Sequence, residues 1–266
     1  MASNQPLLQP GQTCMAENSI ALRPRLEDYA AMPGGWCACC VPRQTYKLSQ
    51  EEKQALRELR THKCNEPFDA ESPETDRLLR GIWDAAFPSE PIKEVDNSER
   101  WPKVGFQSKN PRTDVRTGLF PLRQFHFFMT KYTDRAQQLV RQAQDFEYPL
   151  ACTSFNLTHM VIVFFDLFNS ETVSPVSARS QQANLQQLQN FAQLCVEESL
   201  MVVMDELLCV LLERLHEIWK HMKATENANL MDFPKAMQRI FDIHSDFWTK
   251  PRRQVAEFRE MLSGSE

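Results

Sequence analysis

Glycine is scarce in this chain, and neither long apolar runs nor a strong basic excess is found. Only 7 of the 266 residues are glycine, well below the usual share of about 7%. Leucine, glutamine, glutamate, arginine and methionine are frequent instead, and all of them favour helices. Hydrophobic residues make up 42% of the chain and charged residues 24%, as in ordinary globular proteins. We therefore predict an all-α fold.

The missing features also exclude several classes of protein. A net charge of −5 argues against a generic nucleic-acid binder, which usually carries a basic excess. No early apolar run resembles a signal peptide, and the longest apolar run, 160–165, is too short to span a bilayer. Eight cysteines without a secretory signal are typical of reduced thiols in the cytosol. We therefore expect a cytoplasmic protein.

Motifs for catalysis and cofactor binding are missing as well. The chain contains no P-loop of the form Gly-x-x-x-x-Gly-Lys-Ser/Thr and no nucleophile elbow. Glu213 and His216 have the spacing of half a di-iron site, but the second pair that such a site needs is not present. We expect no intrinsic enzymatic chemistry, no metal and no cofactor.

Residues 1–45 predict a mostly disordered leader, because they are rich in proline and glycine and lack helical periodicity. The leader contains three clustered cysteines: Cys37, Cys39 and Cys40. Acylation of these thiols would hold the protein peripherally on an intracellular membrane. Zinc binding together with His62 and Cys64 is a second interpretation, although no paired Cys-x-x-Cys spacing supports it. Unmodified thiols in a flexible segment are the third.

Helical periodicity begins after the leader. Ser49 and Glu52 have the spacing of a capping box, which predicts an N-terminal helix within 46–66. Later helices are predicted at about 72–87, 122–129, 135–145, 155–169, 181–194 and 197–222, with a final pair over 233–262. The helix over 155–169 is apolar almost all round, so we expect it to be central. We assign 67–255 to one domain and 256–266 to a C-terminal tail.

The segment 101–118 is the most informative part of the chain. Its glycines, prolines, asparagine, threonines and aspartate lie beside the aromatic residues Trp101 and Phe106, which predicts an ordered loop. Between Arg100 and Arg123, six basic residues accompany one acid, although the whole chain is acidic. A basic, ordered loop on an acidic protein predicts contact with an anionic partner.

This segment resembles the central motif of a known family. The pattern Trp101-x-x-x-Gly105-Phe106-Gln107-x-x-x-Pro111-x-Thr113-Asp114-x-Arg116 is similar to that of ELMO domains, and most similar to the ELMO-domain-only proteins. Those proteins act as GTPase-activating proteins for Arf-family GTPases. Segments 79–88, 148–160 and 219–233 resemble other parts of the family in the right order. The likeness covers about 67–250 and implies one multi-helix ELMO domain.

The resemblance also implies roles for individual residues. Arg116 would be the arginine supplied to the GTP site of an Arf/Arl-family small GTPase. Lys109 and Arg112 would steer this acidic partner, and Gln107 would order the loop or orient the attacking water. The remaining motif residues would order the loop or contact the partner: Trp101, Gly105, Phe106, Pro111, Thr113, Asp114 and Gly118. The family usually continues as Arg-Gly-x-Gly, where this chain has Arg116-Thr117-Gly118.

Two alternatives stay open at this point. Arg116 could pair with Asp114 or another carboxylate and simply close the loop. The protein could also be a non-catalytic adaptor, because larger ELMO proteins act as scaffolds for exchange factors and help to regulate the actin cytoskeleton. The chain has no room for the armadillo-like and PH regions of those proteins and no C-terminal PxxP tract, which favours the GTPase activator.

Overall fold

A computed structural model describes residues 47–168 and 182–263. Within these ranges the chain forms α-helices and shorter helical turns, and no β-strand occurs in them. The all-α prediction is therefore confirmed. The predicted leader and its cysteines Cys37, Cys39 and Cys40 lie outside the described residues, as do 169–181.

The described residues contain the following α-helices in chain order. They are α1 Gln50–Glu58, α2 Pro73–Ala86, α3 Trp101–Val104, α4 Leu119–Lys131, α5 Thr133–Asp145, α6 Leu150–Phe164, α7 Leu185–Glu197, α8 Leu200–Thr225, α9 Phe233–Phe247 and α10 Glu260–Ser263. A π-helical turn, Leu59–Lys63, continues α1, and 3-10 turns occupy Pro111–Asp114, Leu230–Asp232 and Val255–Arg259.

Helix α1 begins with the predicted capping box. The Ser49 hydroxyl accepts a hydrogen bond from the Glu52 N–H at 3.1 Å, and the Glu52 carboxylate accepts one from the Ser49 N–H at 2.6 Å. These bonds satisfy backbone donors that the first turn would otherwise leave unpaired. The helix packs against α7, with Leu56 and Leu59 fully buried. The N-terminal helix is thus part of the main core.

The middle of the molecule is formed by α6 and α8. Helix α6 packs against α4 and α8, and most of its residues are buried, as its apolar sequence predicts. It begins at Leu150, earlier than the predicted 155, directly after Pro149 at the N-cap. The long helix α8 contributes many further buried side chains to the core, among them the fully buried Trp219.

The C-terminal part packs back on α8. Helix α9 lies along α8, and the turn Val255–Arg259 and α10 also contact it. Phe258 and Met261 are buried in the same core, so the segment assigned to a tail is joined to the helical body by its apolar side chains. None of the described helices is both long enough and apolar enough to cross a membrane.

Candidate partner-binding loop

The 101–118 segment has a defined backbone path with two turns of helix. It begins with α3, passes through the 3-10 turn Pro111–Asp114, and ends at Gly118 before α4. Gly105 ends α3 with φ of +96°, and Gly118 has φ of +103°. Both values lie in the left-handed region, where a side chain is strained.

Two aromatic residues fix the base of the loop in the core. Trp101 is fully buried and Phe106 is nearly so, and their ring centroids lie 5.2 Å apart in an edge-to-face arrangement. Trp101 also packs edge-to-face on Trp83 of α2, and its indole N–H donates to the Val95 carbonyl. Phe106 packs edge-to-face on Phe155 of α6. The first part of the loop is therefore held by α2 and α6 together.

Gly105 allows the loop to approach the beginning of α6 closely. A Cβ atom at this position would lie 2.1 Å from the backbone nitrogen of Leu150, well inside contact distance. The Gly105 carbonyl accepts a hydrogen bond from the Cys152 N–H at 3.2 Å, and so satisfies a donor in the first turn of α6. The loop and the N-terminus of α6 therefore form one unit.

Arg112 connects the loop to α2. Its side chain is only 12% exposed, and it donates to Asp96 at 2.8 Å, to Asp76 at 2.9 Å and to the Ala70 carbonyl. Hydrogen bonds from Arg80 and then from Arg112 lower the pKa of Asp76. Because two carboxylates offset its charge, Arg112 contributes chiefly to holding the loop, whereas its predicted steering role stays a prediction.

Hydrogen bonds close the tip of the loop internally. The Gln107 N–H donates to the Asp114 carboxylate at 2.6 Å, which joins the backbone before the tip to the residue that follows it. The Thr113 hydroxyl donates to the Asn110 carbonyl at 2.8 Å, and Pro111 between them is buried. The Gln107 side chain is exposed. These contacts fix the backbone on both sides of the tip.

Arg116 follows this closed turn and is exposed. In the parts of the chain that the structure describes, its guanidinium forms neither an ion pair nor a hydrogen bond. Asp114, its suggested partner, instead accepts from Gln107 and contacts the thiol of Cys152. The alternative in which Arg116 closes the loop through a carboxylate is thus not what the structure has.

The half-buried thiol of Cys152 lies beneath the loop tip. Burial, together with the negative charge of Asp114, raises the pKa of this thiol to about 11, while the Gln107 N–H and the charge of Arg116 act in the opposite direction. Arg116 is thus close enough to influence Cys152 electrostatically. The contact of Asp114 with Cys152 could not be predicted from the motif, because Cys152 lies well outside it in the sequence.

The departure from the family pattern at Thr117 has a simple geometric context. Gly118 carries the positive φ, and a Cβ atom there would lie 2.7 Å from the Glu66 carbonyl oxygen. Thr117 is not one of the described non-glycine residues with positive φ. The threonine therefore occupies its position without left-handed strain, and the glycine requirement falls on Gly118.

Other basic residues lie in or next to the loop along the chain. Lys109 is exposed and pairs with Glu99, a surface ion pair of the kind that contributes little to stability. Lys103, which the motif does not specify, is also exposed. Arg123 lies deeper and pairs with Glu66 and Glu74. The exposed positive charge of the loop thus comes mainly from Lys103, Lys109 and Arg116.

The residues considered for metal binding have other partners or surroundings. Glu213 pairs with Arg135 at 2.9 Å, and the His216 Nδ1 lies 3.0 Å from the Tyr148 hydroxyl. Burial raises the pKa of the Cys64 thiol well above its ordinary value. Among the described residues, no group of three or more histidine, cysteine, aspartate or glutamate side chains could hold a metal ion.

The cavity that the C-terminal helices enclose does not involve the loop. A cavity of about 720 Å³ lies between α8, α9 and α10, and none of its lining residues belongs to 101–118. An exposed arginine on a held loop can place a planar, permanently charged group against an anion on another molecule. The exposed guanidinium of Arg116 is thus accessible to a group on another molecule.

Comparison with known proteins places the chain in a family. The model of the ELMO/CED-12 family matches residues 58–237, which include the whole loop and most of the helical core. The chain belongs to this family, which is linked in general to small-GTPase signalling.

Individual relatives show modest identity. The ankyrin repeat and ELMO domain-containing protein D of Dictyostelium discoideum is 25% identical over 199 residues, covering 74% of this chain and 14% of that protein. ELMO domain-containing protein A of the same organism is 31% identical over 134 residues, 49% of this chain and 13% of that protein. ELMO domain-containing protein 2 of Bos taurus is 27% identical over 139 residues, which cover 51% of this chain and 44% of that protein. The matches thus span less than half the length of each relative. No solved structure matches the chain.

Proposed function

We propose that this protein stimulates GTP hydrolysis by a small GTPase of the Arf/Arl family and that Arg116 enters the partner's GTP site. One observation carries the proposal. Arg116 is exposed on a held loop and has no ion pair or hydrogen bond within the described residues. Membership of the ELMO/CED-12 family supports a small-GTPase partner.

The chemistry of GTP hydrolysis explains why an arginine is useful. Negative charge spreads over the oxygens of the γ-phosphoryl group in the transition state, and an arginine that a second protein supplies can raise the rate by about 10³–10⁵. The guanidinium is always charged and offers forked donors that a lysine ammonium does not have. Arg116 would stabilise the transition state more than bound GTP, and it would therefore act on the rate of hydrolysis itself.

The geometry of the loop meets the second requirement, which is accurate positioning. A displacement of about 1 Å in a catalytic group can cost about a hundredfold in rate. The backbone before Arg116 is fixed by the hydrogen bond from Gln107 to Asp114 and by the contacts of Arg112 with α2. After Arg116, the Leu119 N–H donates to the Glu66 carbonyl at 3.0 Å. The arginine thus extends from backbone that is held on both sides.

Other exposed residues of the loop would have supporting roles. Lys103 and Lys109 add positive charge, which speeds the encounter with an acidic partner. The Gln107 backbone is used within the loop, but its exposed side-chain amide is free to orient the attacking water or contact the GTPase. The same surface would also serve an adaptor that binds a GTPase without accelerating hydrolysis.

A panel experiment separates activator from adaptor. Purified Arf/Arl-family GTPases are loaded with GTP, and both binding and single-turnover hydrolysis are measured with and without the protein. An activator accelerates at least one GTPase, whereas an adaptor binds without acceleration. Arg57→Lys is the matched control for Arg116→Lys, because Arg57 is also exposed but lies on α1. Acceleration of no member of the panel would contradict the proposal.

The place of action is a separate part of the proposal. The protein would work in the cytoplasm, with acyl groups on Cys37, Cys39 and Cys40 holding it peripherally on intracellular membranes. One lipid chain gives only weak membrane binding, so several acylated cysteines would be needed for stable attachment. Membrane fractionation of the triple cysteine-to-serine variant tests this: unchanged partitioning would remove the acylation.

A further inference from the structure

Leu230 and Met231 expose more of their side chains than any other large hydrophobic residue that the structure describes. Leu230 is 56% exposed and Met231 is 87% exposed. The other exposed large hydrophobic residues in the described ranges are Val196 and Val202, at 41% and 39%. Single exposed apolar residues are ordinary, but two neighbours at this level form an apolar corner on the surface.

The backbone of this corner is held in place. Leu230 and Met231 belong to the 3-10 turn Leu230–Asp232. The Met231 N–H donates to the Asn229 side chain at 2.9 Å, and the Asn229 N–H donates to the Asp232 carboxylate at 3.1 Å. The turn thus presents both side chains from a fixed position. Methionine is flexible and polarizable, and it is often used at protein-binding surfaces.

The corner is attached to the same part of the core as the Arg116 loop. Phe233, next to the turn, stacks on Tyr148 with ring centroids 5.5 Å apart and packs on Trp219 at 5.1 Å. Tyr148 lies two residues before Leu150, whose backbone nitrogen meets Gly105. The loop and the corner are therefore both anchored on the segment 148–150.

The charges beside the corner are neutralised in pairs. Lys223 pairs with Glu147 at 2.7 Å, and Lys235 pairs with Asp232 at 2.8 Å. The corner therefore has apolar surface without an excess of charge, which is complementary to an apolar protein surface rather than to a phosphate or an anionic lipid headgroup. The basic loop and the neutral corner suit different parts of one partner.

We infer that Leu230 and Met231 form a second contact with the GTPase whose nucleotide site Arg116 enters, and that they bind an apolar patch on it. This inference rests on the proposed function. The two sites have different effects. Arg116 stabilises the transition state of GTP hydrolysis, while the corner contributes the same binding energy to the GTP-bound complex and to the transition state. Loss of the corner should therefore weaken association and leave the rate in the saturated complex unchanged.

The test is a titration of single-turnover hydrolysis on a GTPase that responds to the wild type. In the double variant Leu230→Ser and Met231→Ser, we expect the concentration of this protein that gives half-maximal acceleration to rise by about tenfold or more, as for a central apolar contact. The maximal rate of GTP hydrolysis should stay within about twofold of the wild-type value. Arg116→Lys should show the reverse pattern. Val196→Ser with Val202→Ser is the matched control, because it removes the other exposed apolar pair. Thermal unfolding of each variant checks the fold.

The outcomes distinguish the corner from the arginine. An unchanged half-saturating concentration in the Leu230 and Met231 variant overturns the second contact and leaves the proposed activity intact. Equal weakening by the Val196 and Val202 variant also overturns it. If vesicles of neutral phosphatidylcholine bind the wild type but not the corner variant, while the GTPase titration is unchanged, the corner is a membrane contact instead. If the wild type neither binds any GTPase nor accelerates its hydrolysis of GTP, both proposals are overturned.

Discussion

Gly105 shows at the scale of a single residue how the loop is positioned. Its left-handed backbone ends α3, and its missing side chain leaves room for the backbone of Leu150. Any other residue would meet two penalties at once, namely strain at positive φ and a collision with backbone that cannot move aside.

Gly105→Ala is therefore expected to destabilise the fold by at least about 2 kcal/mol. The measurement is the free energy of unfolding in urea. Lys103→Ala, two residues away and exposed, is the control and should change stability by less than about 0.5 kcal/mol. Equal stability of Gly105→Ala and the wild type would mean that the loop does not rest on α6 as described.

Single residues also show what the sequence could and could not predict. The resemblance implied that Trp101, Gly105 and Phe106 order the loop or contact the partner, and their burial and backbone angles fit a role in ordering the loop. Arg112 was predicted to steer an acidic partner, and this role stays a prediction, but its contacts with Asp76 and Asp96 were not predicted. Those carboxylates are 36 and 16 residues away in the chain, and spacing along a sequence does not report contacts of that kind.

At the scale of elements, the attachment of the loop to α2 gives a further prediction. Arg112→Met keeps a long apolar stem but removes the donors to Asp76, Asp96 and the Ala70 carbonyl. Asp96 then loses this partner, while Asp76 keeps its pair with Arg80, and we expect a loss of about 1–3 kcal/mol in the free energy of unfolding.

Arg77→Ala provides the matched control for this prediction. Arg77 pairs with Glu74 at 3.6 Å on the same helix, α2, but its side chain is 65% exposed. Such a surface pair contributes about 0–1 kcal/mol. If both substitutions have the same small effect on urea unfolding, Arg112 does not hold the loop to α2.

The helices themselves were largely predictable because their signals are local. The capping box of Ser49 and Glu52 placed the start of α1 correctly, since both residues act within one turn. The start of α6 was predicted at 155, whereas the helix begins at Leu150. The Gly105 carbonyl accepts from Cys152 in its first turn, and this partner comes from a distant part of the chain. Helix ends that depend on such contacts cannot be read from local periodicity.

At the scale of the whole molecule, His244 links stability to pH. It is fully buried, accepts a hydrogen bond from the Trp248 indole N–H at 3.1 Å, and packs on Phe164 with ring centroids 4.7 Å apart. Burial lowers the pKa of His244 to about 3. Between the ordinary histidine pKa of about 6.5 and about pH 3, His244 is protonated in the unfolded chain but stays neutral in the folded protein. The free energy of unfolding therefore falls as the pH drops from about 6.5 towards 3.

His244→Gln keeps an acceptor for Trp248 but removes the titration. The variant should lose stability less steeply than the wild type between about pH 6.5 and pH 4, by up to about 1.4 kcal/mol per pH unit. The comparison between variants is needed because burial raises the pKa of Asp205 to about 7, which acts in the opposite direction. His62→Gln, at an exposed position, is the control. Parallel pH profiles of wild type and His244→Gln would contradict the assignment.

The whole molecule also explains why a small loop can be presented so firmly. Apolar residues from α1 to α10 share one core, and the buried residues Trp101 and Phe106 join the loop to it. Composition and periodicity predicted the class of fold, and the central motif together with three other segments predicted the family. The sequence did not predict that Phe258 and Met261, assigned to a tail, belong to this core, because short C-terminal segments give little periodic signal.

The central claim concerns the chemistry of Arg116, and one measurement tests it most directly. Single-turnover GTP hydrolysis by a responsive Arf/Arl-family GTPase is followed with saturating wild type and with saturating Arg116→Lys, both checked for equal thermal stability. Because lysine keeps the charge but loses the forked donors, the maximal rate should fall by about 10² or more and approach the intrinsic rate of the GTPase. An Arg116→Lys protein that accelerates hydrolysis as well as the wild type would contradict the claim.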